Sequence, residues 1–338
     1  MDTEFHYYMT GIIAKAAGFS EDEARTIATA SEYVDENDVC LTIQDRSNGQ
    51  VYQNYISQTM NILNPKHKLM RIYPVFHFVP GNPMRASAWR CDGKMHLLNT
   101  TPDNEIANKM IDLAFKSSED TRLYRIGIAT HAYADTWAHQ NFVGWYDYFN
   151  DIALDIKPDI GHANAGHHPD WPAHRWEDPR LVKDEVENSD RFLAAAKEIF
   201  GKYKKYNKKS GRKANATWKT LYGQLIQAMG ASFSGSLNYY RQERLDRYRK
   251  LAPWLGDFDE SDWFKAAIDI KVLGLEDSDS GLLCMFTMLR DKLYWKEGID
   301  IEKTDWYRFQ EAVKEHQGEA MADLDRLYAR MGVNLHTV

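Results

Sequence analysis

The sequence contains little cysteine, and its cysteines form no motif. Cys40, Cys91 and Cys284 are the only three in 338 residues, and no two of them are spaced as a CxxC pair. The sequence therefore indicates neither a disulfide framework nor a thiolate zinc site. The absence of a disulfide pattern is typical of a reducing compartment, and we expect a cytoplasmic protein.

Long apolar runs and an excess of positive charge are also missing. No window approaches the roughly 18 consecutive apolar residues of a membrane helix, and the N-terminus does not combine a basic region with an apolar stretch. We therefore expect no membrane span and no secretion signal. The formal net charge of −7 argues against duplex nucleic acid as a partner, because this balance does not attract phosphate backbones. The oligomeric state is left open.

Apolar residues make up 43% of the chain and recur at helical spacing over most of its length. The pattern predicts an all-α protein with a single mainly helical domain over residues 1–338. Its histidine-rich half, 1–180, is expected to carry the metal site, and its second half, 181–338, to be helical. The clearest helices are predicted at residues 5–17, 20–34, 121–141, 189–203, 217–251, 282–295 and 306–331.

The first two predicted helices form an αα-hairpin. Gly18 lies where the first helix stops, and Ser20 with Glu23 forms a capping box that starts the second. The two arms have similar lengths of roughly 18 and 22 Å. His6 and Asp35 are therefore expected at the same end of the hairpin.

Helical periodicity weakens between residues 38 and 102. The turn signal Asn48-Gly49 predicts one small hairpin there, and residues 72–79 are predicted to form a short extended segment. Further along, residues 202–213 include seven Lys or Arg. This charge run is typical of a solvated loop between helices, with a binding patch as the alternative.

The residues that indicate chemistry are mostly histidines, and ten of the twelve lie between His6 and His174. His131, Asp135 and His139 recur every four residues, so on a helix they advance about 40° per step and project from one stripe. Because apolar neighbours would bury this helix, such a stripe needs a metal ion or a complete hydrogen-bond network. A merely hydrogen-bonded or exposed stripe is the alternative.

Further candidate ligands lie around this helix: His6, Asp35, His77, His162, His167, His168 and Asp170. Taken singly, each has an ordinary interpretation as a surface or core residue. Together they exceed what one tetrahedral ion can use, which favours a multinuclear site. The histidine-rich donor set favours zinc, with iron or manganese as alternatives.

The order of these residues resembles the zinc-dependent phospholipase C and P1 nuclease superfamily. That order consists of His6, Asp35, His77, the helix at 131–139 and the later His162. The resemblance extends over about the first half of the chain. It implies an all-α, multi-helix phospholipase C/P1 nuclease-like bundle with an irregular segment or small hairpin near residues 40–100.

Within that superfamily, three short segments are similar to a bacterial family of uncharacterised proteins with the same fold: residues 5–8, 33–35 and 76–81. The superfamily pattern implies a di- or trinuclear zinc site in which Asp35 bridges two ions. His77, His131 and Asp135 complete one of them in that pattern. Asp35 and Asp135 are also the implied catalytic residues.

The same pattern implies that His139 and His162 hold the second ion and that His6 joins Asp135 at the third. In the classical secreted enzymes, an N-terminal tryptophan supplies its amine and carbonyl to the third zinc ion. This chain instead has Met1 five residues before His6. The third site is therefore expected to be built differently or to be empty.

Two further departures concern spacing. The gap between Asp135 and His139 is shorter than in the classical helix and is similar to that of the glycosylphosphatidylinositol-phospholipase-like branch. The acid usually found four residues after the late histidine is replaced by Gly166. We expect Asp170 to substitute for that acid as a metal ligand, with His167 or His168 as alternatives.

The expected function is metal-dependent hydrolysis of a phosphate ester, either a small ester or a lipid headgroup, by a phospholipase C-like phosphodiesterase. Metal-bound hydroxide would be the nucleophile. One alternative is a non-catalytic metal-binding or structural protein on the same fold. Another is a single-strand nuclease or nucleotidase, for which the candidate base-stacking residues are Trp89, Trp145, Trp171 and Trp176.

Overall fold

The computed structural model describes residues 1–59, 66–152, 159–271 and 292–333, and helices dominate this part of the chain. The α-helices are α1 (Thr10–Ala16), α2 (Glu21–Glu36), α3 (Lys66–Leu69), α4 (Tyr73–Phe76), α5 (Glu105–Ala114), α6 (Arg122–Ala138), α7 (Asn188–Lys209), α8 (Trp218–Met229), α9 (Arg241–Leu251), α10 (Asp262–Ala267) and α11 (Asp305–Arg330). A π-helix, Glu4–Met9, precedes α1. Short 3-10 helices lie at Ala86–Ala88, Ala163–Ala165 and Ile301–Lys303. Among the described helices, none is long and apolar enough to cross a membrane.

Short strands make the fold mostly helical but not all-α, which corrects the prediction. They are β1 (Thr42–Gln44), β2 (Val51–Gln53), β3 (Tyr146–Asp147), β4 (Asp159–Ile160), β5 (Arg175–Glu177), β6 (Glu185–Glu187), β7 (Ile268–Lys271) and β8 (Lys292–Trp295). Four of them form a sheet in the order β2-β1-β8-β7, in which β1 and β8 run parallel and the other neighbours antiparallel. Strands of two to four residues are too short for a period of two to be recognised in sequence.

The local signals near the N-terminus are confirmed. Glu23 N donates to Ser20 Oγ at 3.1 Å and Ser20 N donates to Glu23 Oε2 at 2.8 Å, which completes the capping box at the start of α2. Gly18 has φ +108°, a conformation that favours glycine, between α1 and α2. The hairpin around Asn48-Gly49 is confirmed as well, since β1 and β2 pair across this turn.

Helix α6 lies at the centre of the fold, with every residue from Tyr124 to Ala138 buried. It packs against α2, α5, α7 and α11. The α2–α6 approach is especially close at Gly127, where a Cβ atom would lie 2.5 Å from Ile27 O and 2.6 Å from Ala30 Cβ. Only glycine allows the two helices this spacing, and the spacing decides where their side chains meet. The surrounding hydrophobic core includes residues from Met1 to Tyr328.

Two predicted helices are corrected in the second half. The helix predicted at 217–251 is two helices, α8 and α9, separated at Gly230, whose φ of +72° ends α8. Residues 231–240 then contain the turn formers Ser234, Gly235 and Ser236. Of the helix predicted at 282–295, residues 282–291 lie outside the described residues, and 292–295 form β8, whose aromatic residues suit a strand.

Two other predictions are wrong because helices form where an extended segment and a loop were expected. Residues 72–79 contain α4, with Pro74 in its first turn, where the missing proline N–H has no helical partner to lose. The basic run at 202–213 is helical as far as Lys209. Tyr203 and Asn207 are buried on this face of α7, so tertiary packing continues the helix through the charged residues.

Candidate metal centre

The centre forms where α2, α4, α6 and the N-terminal π-helix meet. His131 and Asp135 lie one turn apart on α6, and His139 is the residue that ends this helix. His6 belongs to the π-helix and Asp35 to the last turn of α2. The helical hairpin therefore brings His6 and Asp35 to the same end, as their spacing predicts.

Three sets of side chains offer ligand atoms that lie within 4.8 Å of one another, a spacing at which one ion can contact each atom of a set. The sets are His6 with Asp35 and His131, His77 with His131 and Asp135, and His139 with His162 and Asp170. All eight residues expected as ligands are therefore brought together. His131 is shared by two of the sets.

The rings of His77 and His131 face each other with 3.1 Å between His77 Nδ1 and His131 Nε2. The opposite nitrogen of each ring already donates to a main-chain carbonyl: His77 Nε2 to Ser57 O at 2.9 Å and His131 Nδ1 to Ser31 O at 2.8 Å. A carbonyl only accepts, so in neutral rings the facing nitrogens are both lone pairs. Two lone pairs this close are stable only with a cation or an added proton between or beside them.

The second group is oriented in the same way. His139 Nδ1 donates to His77 O at 2.8 Å, and His162 Nδ1 donates to Gly166 O at 2.7 Å. Their Nε2 atoms then approach the two oxygens of Asp170, at 3.1 Å from Oδ1 and 3.5 Å from Oδ2. Carbonyl acceptors that fix the ring orientation of histidines are the usual outer partners of metal ligands.

Asp135 is the carboxylate at the middle of the centre. Its oxygens lie 3.1 Å from His6 Nε2, 3.3 Å from His131 Nε2 and 3.4 Å from His77 Nδ1. Burial alone would raise its pKa, but the surrounding positive charges, His139 first, hold the pKa well below the usual range of an aspartate. Asp135 therefore remains an anion and an oxygen donor at neutral pH.

His6 stacks on His131, with ring centroids 3.7 Å apart and an interplanar angle of 16°. Burial, followed by the repulsion of His131 and the N-terminal amine, lowers the pKa of His6 to about 3. Its Nδ1 is buried and has no hydrogen-bond partner among the described residues. His6 is thus a neutral imidazole at physiological pH, the form that binds metal ions.

The α-amine of Met1 also lies in the centre, which the sequence analysis did not anticipate. It is 2.5 Å from Asp135 Oδ1 and 3.3 Å from Asp170 Oδ1. Burial lowers the pKa of this amine, but Asp135, Asp170 and Asp35 outweigh that effect and raise the pKa to about 11. At neutral pH this amine is therefore a buried ammonium cation paired with the two carboxylates, and it would have to lose a proton to bind a metal ion.

A remote ion pair holds the N-terminal segment in this position. Arg244 of α9 contacts both oxygens of the buried Glu4 at 2.8 Å each. Asp2 N also donates to Asp170 O at 3.2 Å. No local pattern in residues 1–6 signals this arrangement, because its partners lie far away in the chain.

The alternatives to Asp170 do not occupy an equivalent position. The imidazole of His167 is 79% exposed, and its Nδ1 is 4.0 Å from Asp170 Oδ2. His168 faces His174, with 2.7 Å between Nδ1 and Nε2. The geometry thus favours Asp170 as the late carboxylate of the group.

Of the four tryptophans considered for base stacking, Trp145 and Trp176 are buried in the hydrophobic clusters. Trp171 is partly buried and packs against His168. Trp89 is 61% exposed and lines a cavity beside β6. Burial removes Trp145 and Trp176 as stacking platforms.

One edge of the centre is reachable from solvent. The side chain of Asp35 is 30% exposed, that of His162 18% and that of Asp170 12%, whereas His131 and Asp135 are buried. The arrangement can hold cations through imidazole nitrogens and carboxylate oxygens at a closed inner side and leave the outer side open. An open position is what distinguishes catalytic metal sites from structural ones.

Comparison with known proteins gives one match. No curated protein and no solved structure matches the chain. Residues 1–324 match the profile of a family that is described as "Family of unknown function (DUF6765)". Since this match spans nearly the whole chain, the protein belongs to the DUF6765 family.

Proposed function

We propose that this protein is a metal-dependent hydrolase of phosphate esters, a phospholipase C-like phosphodiesterase with two or three zinc ions. The observation that carries the proposal is the facing pair His77 Nδ1 and His131 Nε2. Each ring has its other nitrogen committed to a carbonyl, and the carboxylates of Asp35 and Asp135 lie alongside. Two imidazole nitrogens beside two carboxylates are donors that suit a divalent cation, which supports the proposal.

The donor types support zinc over harder ions. Four imidazoles have a free nitrogen directed at the centre or at its carboxylates, and imidazole suits zinc better than magnesium or calcium. Iron and manganese accept the same donors and remain alternatives. The resemblance to the phospholipase C and P1 nuclease superfamily also supports zinc. We propose in addition that the protein has the fold of that superfamily.

When bound here, zinc ions would lower the pKa of a bound water from 15.7 to about 7 and neutralise phosphoryl oxygens. The residues of the protein would hold and orient the groups that bind these ions. Asp135 stays anionic at the buried side, and the carbonyls of Ser31 and Ser57 fix the ring orientations. Asp35, at the exposed edge, is the carboxylate nearest to an entering ester.

The proposal is tested first by metal content. Plasma mass spectrometry of untagged protein should find two or three zinc equivalents per chain. Asp35→Asn should reduce that number and remove most hydrolysis of bis(4-nitrophenyl) phosphate. The matched control is Asp38→Asn, the same change at an exposed aspartate outside the three ligand sets. Wild-type activity in Asp35→Asn would overturn the catalytic assignment.

A non-catalytic metal site is the second candidate, favoured by the complete burial of His6 and His131. Ions at such a site would stabilise the meeting point of the N-terminal segment and α6. Its signature is metal content without turnover of choline, inositol or nucleotide phosphodiesters. Selective turnover of single-stranded oligonucleotides would instead favour the nuclease alternative.

A further inference from the structure

A cavity of about 640 Å³ lies between the C-terminal end of α7 and the start of α8. Its volume falls within the usual range for small-molecule sites. Every charged residue that lines it is positive: Lys204, Lys208, Arg212 and Lys213. The rest of its wall is uncharged and includes Thr217, the N-cap residue of α8, and Thr220 in the first turn of that helix.

The positive charge of this cavity is largely uncompensated. Within the described part of the chain, Arg212 has a carboxylate partner, Glu23 at 2.7 Å, whereas Lys204, Lys208 and Lys213 have none within 4.0 Å. This contrasts with the net charge of −7 for the chain as a whole. A bound anionic ligand would balance these charges.

The lysines on α7 also repel one another. Lys204 and Lys208 are four residues apart on α7, and so are Lys205 and Lys209. Like charges at this spacing destabilise an isolated helix by a few tenths of a kcal/mol per pair. The α8 backbone adds to the positive potential, because a helix begins with a partial positive charge. The dipole of α7 offsets part of this repulsion, because it favours cations such as Lys208 and Lys209 in the last turn.

The site is separate from the metal centre. Asn188, at the start of α7, donates to the carbonyls of His168 and Trp171 near that centre. The 22 residues of α7 span roughly 33 Å before Lys209. A ligand at the basic cavity thus does not reach the metal ligands.

We propose that this cavity binds a small, multiply charged phosphate compound. Lysine ammonium groups bind phosphate as point charges without demanding one orientation, which suits clustered phosphates. Three unpaired lysines in one small cavity match a ligand with three or more negative charges. The volume of about 640 Å³ suits a small molecule.

Isothermal titration of the full-length protein with inorganic tripolyphosphate tests the proposal. We expect saturable binding of one ligand per chain that weakens as ionic strength rises to about 0.15 M. The double variant Lys204→Gln/Lys208→Gln should bind about tenfold or more weakly, because two charge-assisted contacts are lost. All of these side chains are exposed, so the fold should be retained.

The matched control is Lys205→Gln/Lys209→Gln, which removes the same charge from the same helix at exposed residues that do not line the cavity. Near-wild-type affinity in this control supports a specific site. Equal losses in both double variants would mean non-specific attraction and overturn the proposal. Binding that neither variant alters, or no saturable binding at all, would overturn it as well.

Discussion

His77 contributes to the candidate metal centre through both its side chain and its main chain. Its Nε2 is held by Ser57 O, its Nδ1 faces His131, and its carbonyl accepts from His139 Nδ1. One residue therefore supplies a candidate ligand and orients another. Removing the ring alone separates these two roles, since the carbonyl remains.

At this scale we predict that His77→Ala lowers zinc affinity by at least about 10- to 100-fold, the range seen when even an outer partner of a ligand is lost. A competition titration with a zinc chelator measures the effect. His167→Ala is the matched control, because this imidazole is 79% exposed. Equal affinity losses in the two variants would contradict the assignment of His77 as a ligand.

Between elements, the close approach of α2 and α6 aligns the centre. Gly127 allows this approach, and the contact from His131 Nδ1 to Ser31 O depends on it. Asp35 lies one turn beyond Ser31 on α2. A displacement of a few tenths of an ångström between these helices would move both residues relative to each other.

We therefore predict that Gly127→Ala destabilises the protein by about 1–3 kcal/mol, the range for overpacking, and weakens zinc binding. Urea unfolding and chelator competition measure the two effects. Gly201→Ala on α7 is the control, because its added Cβ would have no atom within 4 Å beyond the neighbouring backbone of its own helix. That substitution should stabilise by up to about 1 kcal/mol. An unchanged stability in Gly127→Ala would show that α2 and α6 adjust without strain.

At the scale of the whole molecule, the two halves of the chain meet at α6 and α11. Arg125 is fully buried between them and pairs with Glu319, and Glu315 lies 3.7 Å from its Nε. His316 lies beside this network and stacks on Phe76 with ring centroids 5.3 Å apart. Burial, followed by the charge of Arg125, lowers the pKa of His316 well below its usual value.

Because the pKa of His316 is lowered, we predict that the free energy of unfolding depends on pH. Below about pH 6.5 the unfolded chain binds a proton at His316 that the folded protein excludes, so stability falls as pH falls. The contribution reaches about 1.4 kcal/mol per pH unit. Urea unfolding of chelated protein between about pH 7 and 5 should therefore give a smaller slope for His316→Gln than for wild type. Identical slopes would mean that His316 is not the responsible group.

Local patterns were sufficient for several features of this protein. The capping box at Ser20, the hairpin at Gly49 and the stripe of His131, Asp135 and His139 all depend on residues within a few positions of one another. Helical periodicity also located α6 and α11. Such features follow from the sequence because short-range geometry alone relates the residues concerned.

Only the tertiary structure decided which groups surround the candidate ligands. Carbonyl acceptors such as Ser57 O carry no signal in a sequence, since every residue has a carbonyl. The position of Met1 depends on the pairing of Glu4 with Arg244, 240 residues away. β8 likewise becomes a strand by pairing with β1 and β7. These outcomes depend on contacts between distant segments, which packing determines and local periodicity does not encode.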